Sequence, residues 1–392
     1  MRTIGVIGVG RLGICTALIL EEAGFNVVCY DVSKQIRDAI NSRVIESPEK
    51  GVSEMLAKAK HICAKDSLEE VLQATDTYFC IVATPSLPDG SYDHKYLNLV
   101  VDEMIQTLPH LENAPKFFTI CCTTMPGYCD TVQTKFNDAN LRISVSYNPE
   151  FIAQGNVIYG FSHPDILLIG ESSKEAGDTL LPIYEAFVKT KPLICRMKPK
   201  EAEITKIAIN CYITTKISFA NTIGDLCVHE GLNPDSVLRA IGSDSRIGTK
   251  YLGWGHGYGG PCFPRDNRAL CFYSDGQGVR NRIGEATDET NKSHLQFLTD
   301  RLVAIAKTTG KAFLLKDLAY KPGTNILEES QSFALARQLD LAGFHVYVQE
   351  SPEIQKTLET LYPSQFSFID STVDVSNYIV VDKDLSCLRN RM

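Results

Sequence analysis

The chain has 392 residues, which is enough for two or three domains with a sizeable buried core, so a peptide or a disulfide-stapled scaffold is excluded. Hydrophobic residues make up 44% of it and charged residues 22%, a balance that excludes wholesale disorder. Its 39 basic and 47 acidic residues give a net charge of −8, without a basic run. The composition therefore predicts no nucleic-acid partner.

Cysteine usage and hydropathy indicate the compartment. The thirteen cysteines follow neither a metal-binding nor a disulfide-framework spacing. No apolar stretch approaches the ~18 residues that a membrane span needs, and Met1 leads almost directly into a predicted strand. We expect reduced thiols in an unprocessed cytoplasmic protein that has no membrane partner. The eight histidines show no ligand-type spacing with acids or cysteines, so no metal is predicted.

Between residue 3 and about residue 196, short apolar runs alternate with amphipathic stretches. The runs cover residues 4–7, 27–30, 77–83, 116–122, 142–147 and 166–169. This alternation predicts an α/β fold with a mainly parallel sheet wrapped by helices. Between residues 201 and 231 the apolar residues recur at helical spacing and form one stripe, which predicts a long central helix. Further helix is expected at 234–241 and after residue 283.

From residue 302 the strand–helix alternation returns, and a short phrase returns with it. Ala-Gly-Phe-Asn-Val-Val at 23–28 is echoed by Ala-Gly-Phe-His-Val-Tyr at 342–347, and each opens a strand that ends in an acid. A helix that ends at a glycine and leads into a second strand explains both copies. The echo predicts two related α/β domains, although two short matches can also arise by chance.

A glycine-rich turn follows the first predicted strand and opens a helix, and an acid ends the next strand. Glycines allow a pyrophosphate to approach the helix N-terminus, and the acid can accept hydrogen bonds from an adenosine ribose. The alternative is a turn that the glycines only shape. The context favours dinucleotide binding, and a carboxylate favours NAD over NADP because it repels a 2′-phosphate. The candidate cofactor residues are Gly8, Gly10, Arg11, Leu12, Gly13 and Asp31.

A second glycine-rich segment precedes Cys262. Five of the eight residues from 253 to 260 are glycine, and Pro264 suits the first position of a following helix. Cys262 is therefore expected at a helix N-terminus, where the helix dipole and the backbone amides favour a thiolate. A cysteine is usually a small buried hydrophobe, and the other twelve are interpreted in that way. The setting of Cys262 favours a nucleophile instead.

Two polar residues interrupt the stripe of the long helix. Lys206 and Asn210 are four residues apart and share one helix face. A lysine that points inward needs a partner or a ligand, and the alternative is a lysine whose charged end reaches solvent at the edge of the stripe.

Polar residues also follow three predicted strands. Thr84-Pro85, Thr124 and Glu150 each come directly after an apolar run or close to its end. Open α/β sheets bind ligands outside the carboxyl ends of their strands, so these residues are expected in one cleft. Each could also belong to an ordinary turn.

Together these motifs resemble the UDP-glucose 6-dehydrogenase family of nucleotide-sugar 6-dehydrogenases, over almost the whole chain. The stretches that carry the resemblance are 8–13, 148–151, 201–210, 245–248, 257–266 and 319–324, and Gly-Tyr-Gly-Gly-Pro-Cys-Phe-Pro-Arg-Asp at 257–266 is the most specific. The resemblance implies two Rossmann-like domains with mainly parallel sheets, joined by a helical region that contains a long central helix. It implies an NAD-binding domain at 1–196, a central region with the catalytic cysteine at 197–297 and a nucleotide-sugar-binding domain at 298–392.

The resemblance also implies roles for single residues. The catalytic set is Cys262, Lys206, Asn210, Glu150, Asp266 and Thr124. The cofactor set adds Thr84, Pro85 and Thr124 to the glycine-rich turn and its acid. The substrate set is Glu150, Phe151, Lys206, Asn210, Arg246, Tyr251, Tyr258, Gly259 and Lys321. In the family an arginine at the position of Arg246 often reaches the substrate of a neighbouring subunit, which implies a homodimer.

The implied reaction is a four-electron oxidation at C6 of a nucleotide sugar. A first hydride leaves C6 for NAD, Cys262 adds to the aldehyde as a thiohemiacetal, a second hydride leaves for a second NAD, and water hydrolyses the thioester. Lys206 and Asn210 would stabilise the oxyanions, and Glu150 would assist the water. The expected substrate is UDP-glucose, because Asn-Pro-Glu-Phe at 148–151 resembles the glucose branch of the family.

Three alternatives stay open on the sequence. The first is a UDP-N-acetylhexosamine or GDP-mannose dehydrogenase, which changes only the substrate. The second is a silent NAD or nucleotide-sugar sensor, against which the intact catalytic set argues. The third is a two-electron hydroxyacid dehydrogenase, which would share the glycine-rich turn and the long helix but would not require Cys262.

The sequence also departs from the family pattern at contacts with cofactor and sugar rather than at the nucleophile. Glu328 and Ile166 stand where relatives have arginine, Gln154 stands where they have an acid, and Arg265 stands where they commonly have lysine. These departures affect the expected substrate more than the expected reaction.

Overall fold

The computed structural model describes residues 1–111, 116–152, 155–321, 324–370 and 372–389. The chain divides into two compact units, Met1–Ile207 and Ala208–Met392, and each has its own parallel-dominated sheet. The three-domain division expected from the sequence stays a prediction. None of the described helices is both long and apolar enough to cross a membrane.

The first unit is an α/β domain built on an eight-stranded sheet. Its elements are β1 (Thr3–Ile7), α1 (Arg11–Glu22), β2 (Asn26–Tyr30), α2 (Lys34–Ser42), α3 (Val52–Lys58), β3 (Ile62–Ala64), α4 (Leu68–Ala74), β4 (Thr77–Cys80), α5 (Lys95–Thr107), a short 3₁₀ helix (Leu108–His110), β5 (Lys116–Ile120), α6 (Tyr128–Asp138), β6 (Ile143–Tyr147), α7 (Val157–Ser162), β7 (Ile166–Glu171), α8 (Lys174–Glu185) and β8 (Leu193–Met197). The strand order is β3-β2-β1-β4-β5-β6-β7-β8, and every neighbouring pair is parallel except β6 and β7.

The predicted strands of the first unit are confirmed, because each apolar run forms a buried strand of this sheet. Sequence analysis missed two further strands. β3 has three residues, which are too few to show the alternation of apolar and polar residues that marks a strand. β8 lies at the sheet edge with Leu193 and Ile194 exposed, so burial does not demand an apolar run there.

The predicted long helix is confirmed as α9 (Pro199–His229). The expectation of one apolar stripe on it is wrong, because the stripe separates into two faces. Large apolar residues at positions 204, 212, 219 and 226 are exposed. The other face is buried and carries polar side chains spaced three or four residues apart: Glu203, Lys206, Asn210, Thr214, Ser218 and Asn221.

The second unit continues from α9 with helices and ends in a four-stranded parallel sheet of order β11-β10-β9-β12. Its further elements are α10 (Pro234–Gly242), α11 (Phe263–Gly276), α12 (Arg282–Thr309), β9 (Ala312–Lys316), α13 (Gln331–Leu341), β10 (Val346–Gln349), α14 (Pro352–Leu361), β11 (Ser367–Phe368), a short 3₁₀ helix (Val375–Asn377), β12 (Tyr378–Val381) and α15 (Ser386–Arg389). The second α/β region is thereby confirmed, although its first strand begins ten residues after the predicted start at residue 302, since α12 runs to Thr309.

The two copies of the sequence echo adopt the same structure. α1 ends before Gly24, which has φ +94°, and the chain then enters β2. α13 ends before Gly343, which has φ +86°, and the chain then enters β10. In each case a glycine in the left-handed region reverses the chain from the helix into the second strand.

The glycine-rich turn between β1 and α1 brings backbone segments very close together. Gly8 has φ +83°, and a Cβ atom there would lie 2.4 Å from the carbonyl oxygen of Ile81. A Cβ atom on Gly13 would lie 1.9 Å from the carbonyl oxygen of Gly8. Gly10, by contrast, faces open space, with no atom within 4 Å of such a Cβ. The turn therefore leaves a cradle at the N-terminus of α1 that suits a pyrophosphate.

These distances predict different effects for two similar substitutions. We expect Gly13→Ala to lower the free energy of unfolding by about 3 kcal/mol, because the new methyl group would overlap a backbone carbonyl that cannot move independently. Gly10→Ala serves as the control and should change it by less than about 1 kcal/mol. Denaturant unfolding of both variants measures the difference, and equal stabilities would contradict the packing described here.

Candidate active site

Asp31 anchors the first glycine-rich turn from the end of β2. Its Oδ2 accepts a hydrogen bond of 2.9 Å from the backbone N–H of Val9, and its Oδ1 accepts one of 2.9 Å from Ser33. The carboxylate thus lies next to the cradle at Gly10, where it can also accept hydrogen bonds from a ribose. Its role in the choice of NAD over NADP stays a prediction.

Arg11 begins α1 and pairs with the buried carboxylate of Glu49, with 2.7 Å between Nε and Oε1. Glu49 also accepts hydrogen bonds of 2.9 and 3.4 Å from the backbone N–H groups of Gly155 and Val157. It therefore links the first turn to the start of α7. Sequence reasoning missed Glu49, because it stands in a loop where no periodicity marks a buried residue.

The carboxyl ends of β4 and β5 lie side by side in the sheet. The two strands are parallel neighbours, and the hydroxyl of Thr84 donates a hydrogen bond of 2.8 Å to the carbonyl oxygen of Thr123. Thr84 and Thr124 are both buried, whereas Pro85 is exposed.

Glu203 holds the turn that carries Thr124. Its carboxylate is fully buried and accepts hydrogen bonds from the Thr124 hydroxyl at 2.9 Å, from the Gly127 N–H at 2.5 Å and from the Cys129 N–H at 3.0 Å. Burial raises the pKa of Glu203, and the N–H of Cys129 leads the donors that oppose the rise. Sequence reasoning missed Glu203, although an acid three residues before Lys206 on the same helix face is a usable indication.

Glu150, Phe151 and Lys206 are brought together in the first unit. Lys206 is only 8% exposed, so the interpretation of a lysine that reaches solvent is wrong. Its Nζ donates a hydrogen bond of 2.7 Å to the carbonyl oxygen of Glu150 and lies 4.8 Å from the centre of the Phe151 ring. The turn itself is fixed by the buried Asn148, whose side chain donates to the carbonyl oxygen of Leu168 at 2.7 Å.

The Glu150 carboxyl group has an unusual protonation equilibrium. Burial raises its pKa to about 8, and the positive charge of Lys206 opposes the rise. Glu150 is therefore mostly a neutral acid at pH 7 and becomes a carboxylate in mildly alkaline solution. A group that titrates in this range can act as a general base.

In the second unit, Cys262 lies directly before α11 as its N-cap residue. The helix begins at Phe263, so Pro264 takes the second helical position rather than the first. All thirteen cysteines belong to the described residues and none is in a disulfide; Cys262 is exposed, whereas the others are buried or partly buried. An exposed sulfur at a helix N-terminus has the access and the electrostatic environment of a nucleophile.

Asn210 and Asp266 also lie together. Asn210 Nδ2 donates a hydrogen bond of 2.6 Å to Oδ2 of Asp266, and both side chains are buried. Asp266 is one helical turn after Cys262 and donates its backbone N–H to the Cys262 carbonyl oxygen at 2.9 Å. The pair therefore joins α9 to the first turn of α11.

The remaining predicted residues of the second unit differ in setting. Tyr251 is exposed, and its ring packs edge-to-face on Phe263, with 6.3 Å between the ring centres. Arg246 is exposed and pairs with Asp244 at 2.7 Å. Tyr258 is buried, and its hydroxyl group donates a hydrogen bond to Asp288, so its side chain packs inside the second unit. Gly259 and Lys321 are partly buried.

The four departures from the family pattern are distributed over both units. Ile166 is the partly buried first residue of β7, and Glu328 is exposed. Arg265 is partly buried, with its Nε 3.3 Å from Oδ1 of Asp266. Gln154 lies outside the described residues.

The fold, the cradle at Gly10 and the exposed cysteine at a helix N-terminus define an NAD-dependent dehydrogenase of the α/β class. Two family models match the chain: the NAD binding domain of the UDP-glucose/GDP-mannose dehydrogenase family over residues 2–188, and the central domain of that family over residues 200–293. The chain belongs to the UDP-glucose/GDP-mannose dehydrogenase family. The predicted NAD cofactor and the predicted family are confirmed.

Relatives and solved structures agree with this assignment. The chain is 30% identical over 384 residues to a UDP-glucose 6-dehydrogenase of Pseudomonas aeruginosa, covering 96% of this chain and 84% of the relative. It is 28% identical to one of Haloferax volcanii, covering 95% and 88%. The structure of a UDP-glucose dehydrogenase from Pyrobaculum islandicum matches with a TM-score of 0.88 and 28% identity, covering 99% and 96% of the two chains. The predicted fold class is confirmed.

The contacts of Glu203 predict a stability effect. We expect Glu203→Gln to lower the free energy of unfolding by about 2–3 kcal/mol, because an amide N–H would face donor groups where a buried carboxylate now accepts from them. Glu201→Gln is the matched control on the same helix, since Glu201 is exposed and also accepts a backbone hydrogen bond, from Lys198. Thermal unfolding compares the two variants, and equal transition temperatures would contradict the assigned role.

Proposed function

We propose that the chain oxidises the C6 hydroxyl group of a nucleotide sugar to the carboxylic acid in an NAD-dependent four-electron reaction. UDP-glucose is the proposed substrate and UDP-glucuronate the product. The observation that carries the proposal is Cys262, an exposed thiol at a helix N-terminus in a chain of a dehydrogenase family. The relatives named UDP-glucose 6-dehydrogenase support the choice of sugar.

The residues of the first turn suit NAD. The open space at Gly10 admits a pyrophosphate to the N-terminus of α1, and Asp31 lies next to it with a carboxylate for the ribose. When bound, NAD accepts the hydride that leaves C6 in each of the two oxidation steps.

Cys262 supplies the covalent step. Its thiolate attacks the carbonyl carbon of the aldehyde, so a C–S bond forms and the carbonyl oxygen becomes the thiohemiacetal oxygen. After hydride loss this carbon is a thioester. Water then attacks the thioester carbon, the C–S bond breaks, and Cys262 leaves as the thiolate while the sugar becomes the acid.

Three further side chains act on charge and protons. Lys206 and Asn210, one turn apart on α9, are assigned to the negative charge that develops on the C6 oxygen. Glu150 is assigned the proton of the attacking water, for which a carboxyl group with a pKa of about 8 is suited. Thr124 and Asp266 hold the neighbouring turns through their hydrogen bonds to Glu203 and Asn210.

A homodimer is part of the proposal. Tyr212, Phe219 and Leu226 form an exposed apolar row with seven-residue spacing on α9, which suits a face covered by a second copy. Arg246 has a side chain that is 86% exposed, so it can extend beyond its own subunit. The proposed compartment is the cytoplasm, which is supported by the absence of disulfides among the thirteen described cysteines.

The decisive experiment counts reduced cofactor. Each UDP-glucose consumed should yield two NADH, followed by absorbance, without accumulation of aldehyde. In Cys262→Ala acid formation should fall by at least about a thousandfold, because neither the thiohemiacetal nor the thioester can form. NAD affinity should change by less than about 1 kcal/mol, since the cofactor residues belong to the first unit.

The control for this experiment is Cys195→Ala, which removes a partly buried thiol from β8 and should leave turnover unchanged. One NADH per sugar would instead indicate a two-electron dehydrogenase. Tight binding of NAD and sugar without any turnover would indicate a sensor.

The pKa of Glu150 predicts the pH dependence. Because the carboxyl group is protonated below about pH 8 and ionised above it, the rate of acid formation should rise with pH through about 8. Glu150→Gln should lose this rise and reduce kcat by about a hundredfold, since an amide cannot take a proton from water. Glu201→Gln, which alters an exposed acid, should keep the wild-type profile. An unchanged profile in Glu150→Gln would exclude Glu150 as the base.

A further inference from the structure

The segment of residues 253–261, here called the cysteine loop, leads directly into Cys262 and is held by side chains of two helices. Asn221 of α9 accepts a hydrogen bond of 3.1 Å from the N–H of Gly255. Asn291 of α12 accepts one of 3.0 Å from the N–H of Tyr258 and donates one of 2.9 Å to its carbonyl oxygen. The loop backbone is therefore bound at two points by side chains that are unrelated to any substrate contact assigned above.

A third point of attachment is His294 of α12, which is 2% exposed. Its Nδ1 lies 2.8 and 3.0 Å from the two carboxylate oxygens of Asp225. Its Nε2 lies 2.6 Å from the carbonyl oxygen of Gly255. Both ring nitrogens thus face oxygen atoms, and the carbonyl oxygen can only accept a hydrogen bond. A neutral imidazole has a single N–H and can donate to one of these partners, whereas an imidazolium donates to both.

Asp225 has a second contact, which faces the same carboxylate. Its Oδ1 also accepts a hydrogen bond of 2.8 Å from Nε1 of Trp254. The carboxylate oxygens thus face the indole N–H and Nδ1 of His294, while Nε2 of His294 faces the Gly255 carbonyl oxygen. This arrangement of acceptors around the ring suits a carboxylate paired with an imidazolium.

The other titratable groups around the pair are compatible with this charge. Burial lowers the pKa of His256, the residue after Gly255, to about 4, so His256 adds no second positive charge. Arg389 donates a hydrogen bond to the carbonyl oxygen of Trp254, lies over its ring and pairs with Asp235, and these contacts occupy its guanidinium group.

We propose that His294 is a positioning residue that, as an imidazolium paired with Asp225, binds the Gly255 carbonyl and holds the cysteine loop so that Cys262 stands at the N-terminus of α11. The expected effect of His294 on turnover rests on the proposed role of Cys262. The charge state of His294 does not rest on that role, because it follows from the two acceptors around the ring.

The charge state is tested directly by nitrogen NMR. In protein labelled with ¹⁵N-histidine at pH 7, one ring should show one-bond coupling to hydrogen at both nitrogens, and this signal should be absent from His294→Gln. If instead the signal lost in His294→Gln belongs to a ring with one bare nitrogen, the proposal is overturned. Should that variant not fold, Asp225→Asn provides a second reading, since removal of the carboxylate should convert the same ring to its neutral form.

The positioning role is tested by kinetics. His294→Gln and Asp225→Asn should each lower kcat for acid formation by about tenfold or more, while KM for NAD stays within about twofold. The double variant should be no slower than the slower single variant, because the two residues act as one unit. His345→Gln, which removes an exposed histidine, should behave as wild type.

The outcomes separate this proposal from the proposed function. Wild-type kcat in both single variants, or losses that multiply in the double variant, would overturn the positioning role. Acid formation by Cys262→Ala would overturn the covalent mechanism, yet the NMR result on His294 would stand by itself.

Discussion

The loops that carry the predicted site residues of each unit depend on the buried polar face of α9. A buried polar group that lacks a hydrogen-bond partner destabilises a protein by about 1–3 kcal/mol, so each member of this face needs a matching group elsewhere in the fold. The matching groups lie in those loops: in the first unit the turn with Thr124 for Glu203 and the Glu150 carbonyl for Lys206, and in the second unit Asp266 for Asn210 and Gly255 for Asn221. The helix can therefore reach its buried state only when these loops are in place.

The two α/β sheets share one hydrogen-bonding arrangement. In each sheet, an acid that follows the second strand in chain order accepts a backbone hydrogen bond from the turn that follows the first strand. Asp31 accepts the N–H of Val9 in the first unit, and Glu350 accepts the N–H of Leu318 in the second. Each acid also accepts the N–H of a nearby serine, and each of these serines caps the next helix. The shared hydrogen bonds support a duplication far better than the short sequence echo does, because they repeat a whole arrangement.

Sequence patterns predicted six of the eight strands of the first unit, the long helix and the position of Cys262, since these follow from periodicity and from residues with strong local preferences. They failed where a side chain is fixed by a partner distant in sequence. Glu49 binds Gly155, Glu203 binds Gly127, and no local pattern relates such pairs. The apolar stripe of α9 was misjudged for another reason: helical spacing marks apolar residues but not which of them are buried, and those at positions 204, 212, 219 and 226 are exposed.

Glu203 and Glu150 of the first unit show how the environment separates a glutamate that only holds a turn from one that can exchange a proton. Glu203 receives three hydrogen bonds, from Thr124, Gly127 and Cys129, and these oppose the rise in pKa that burial causes. For Glu150 the charge of Lys206 is the opposing influence, and the pKa still reaches about 8. A carboxylate committed to three donors cannot exchange a proton without disrupting the turn it holds. Glu150 can, because the lysine is bound through the backbone carbonyl of the same residue and stays in place in either protonation state.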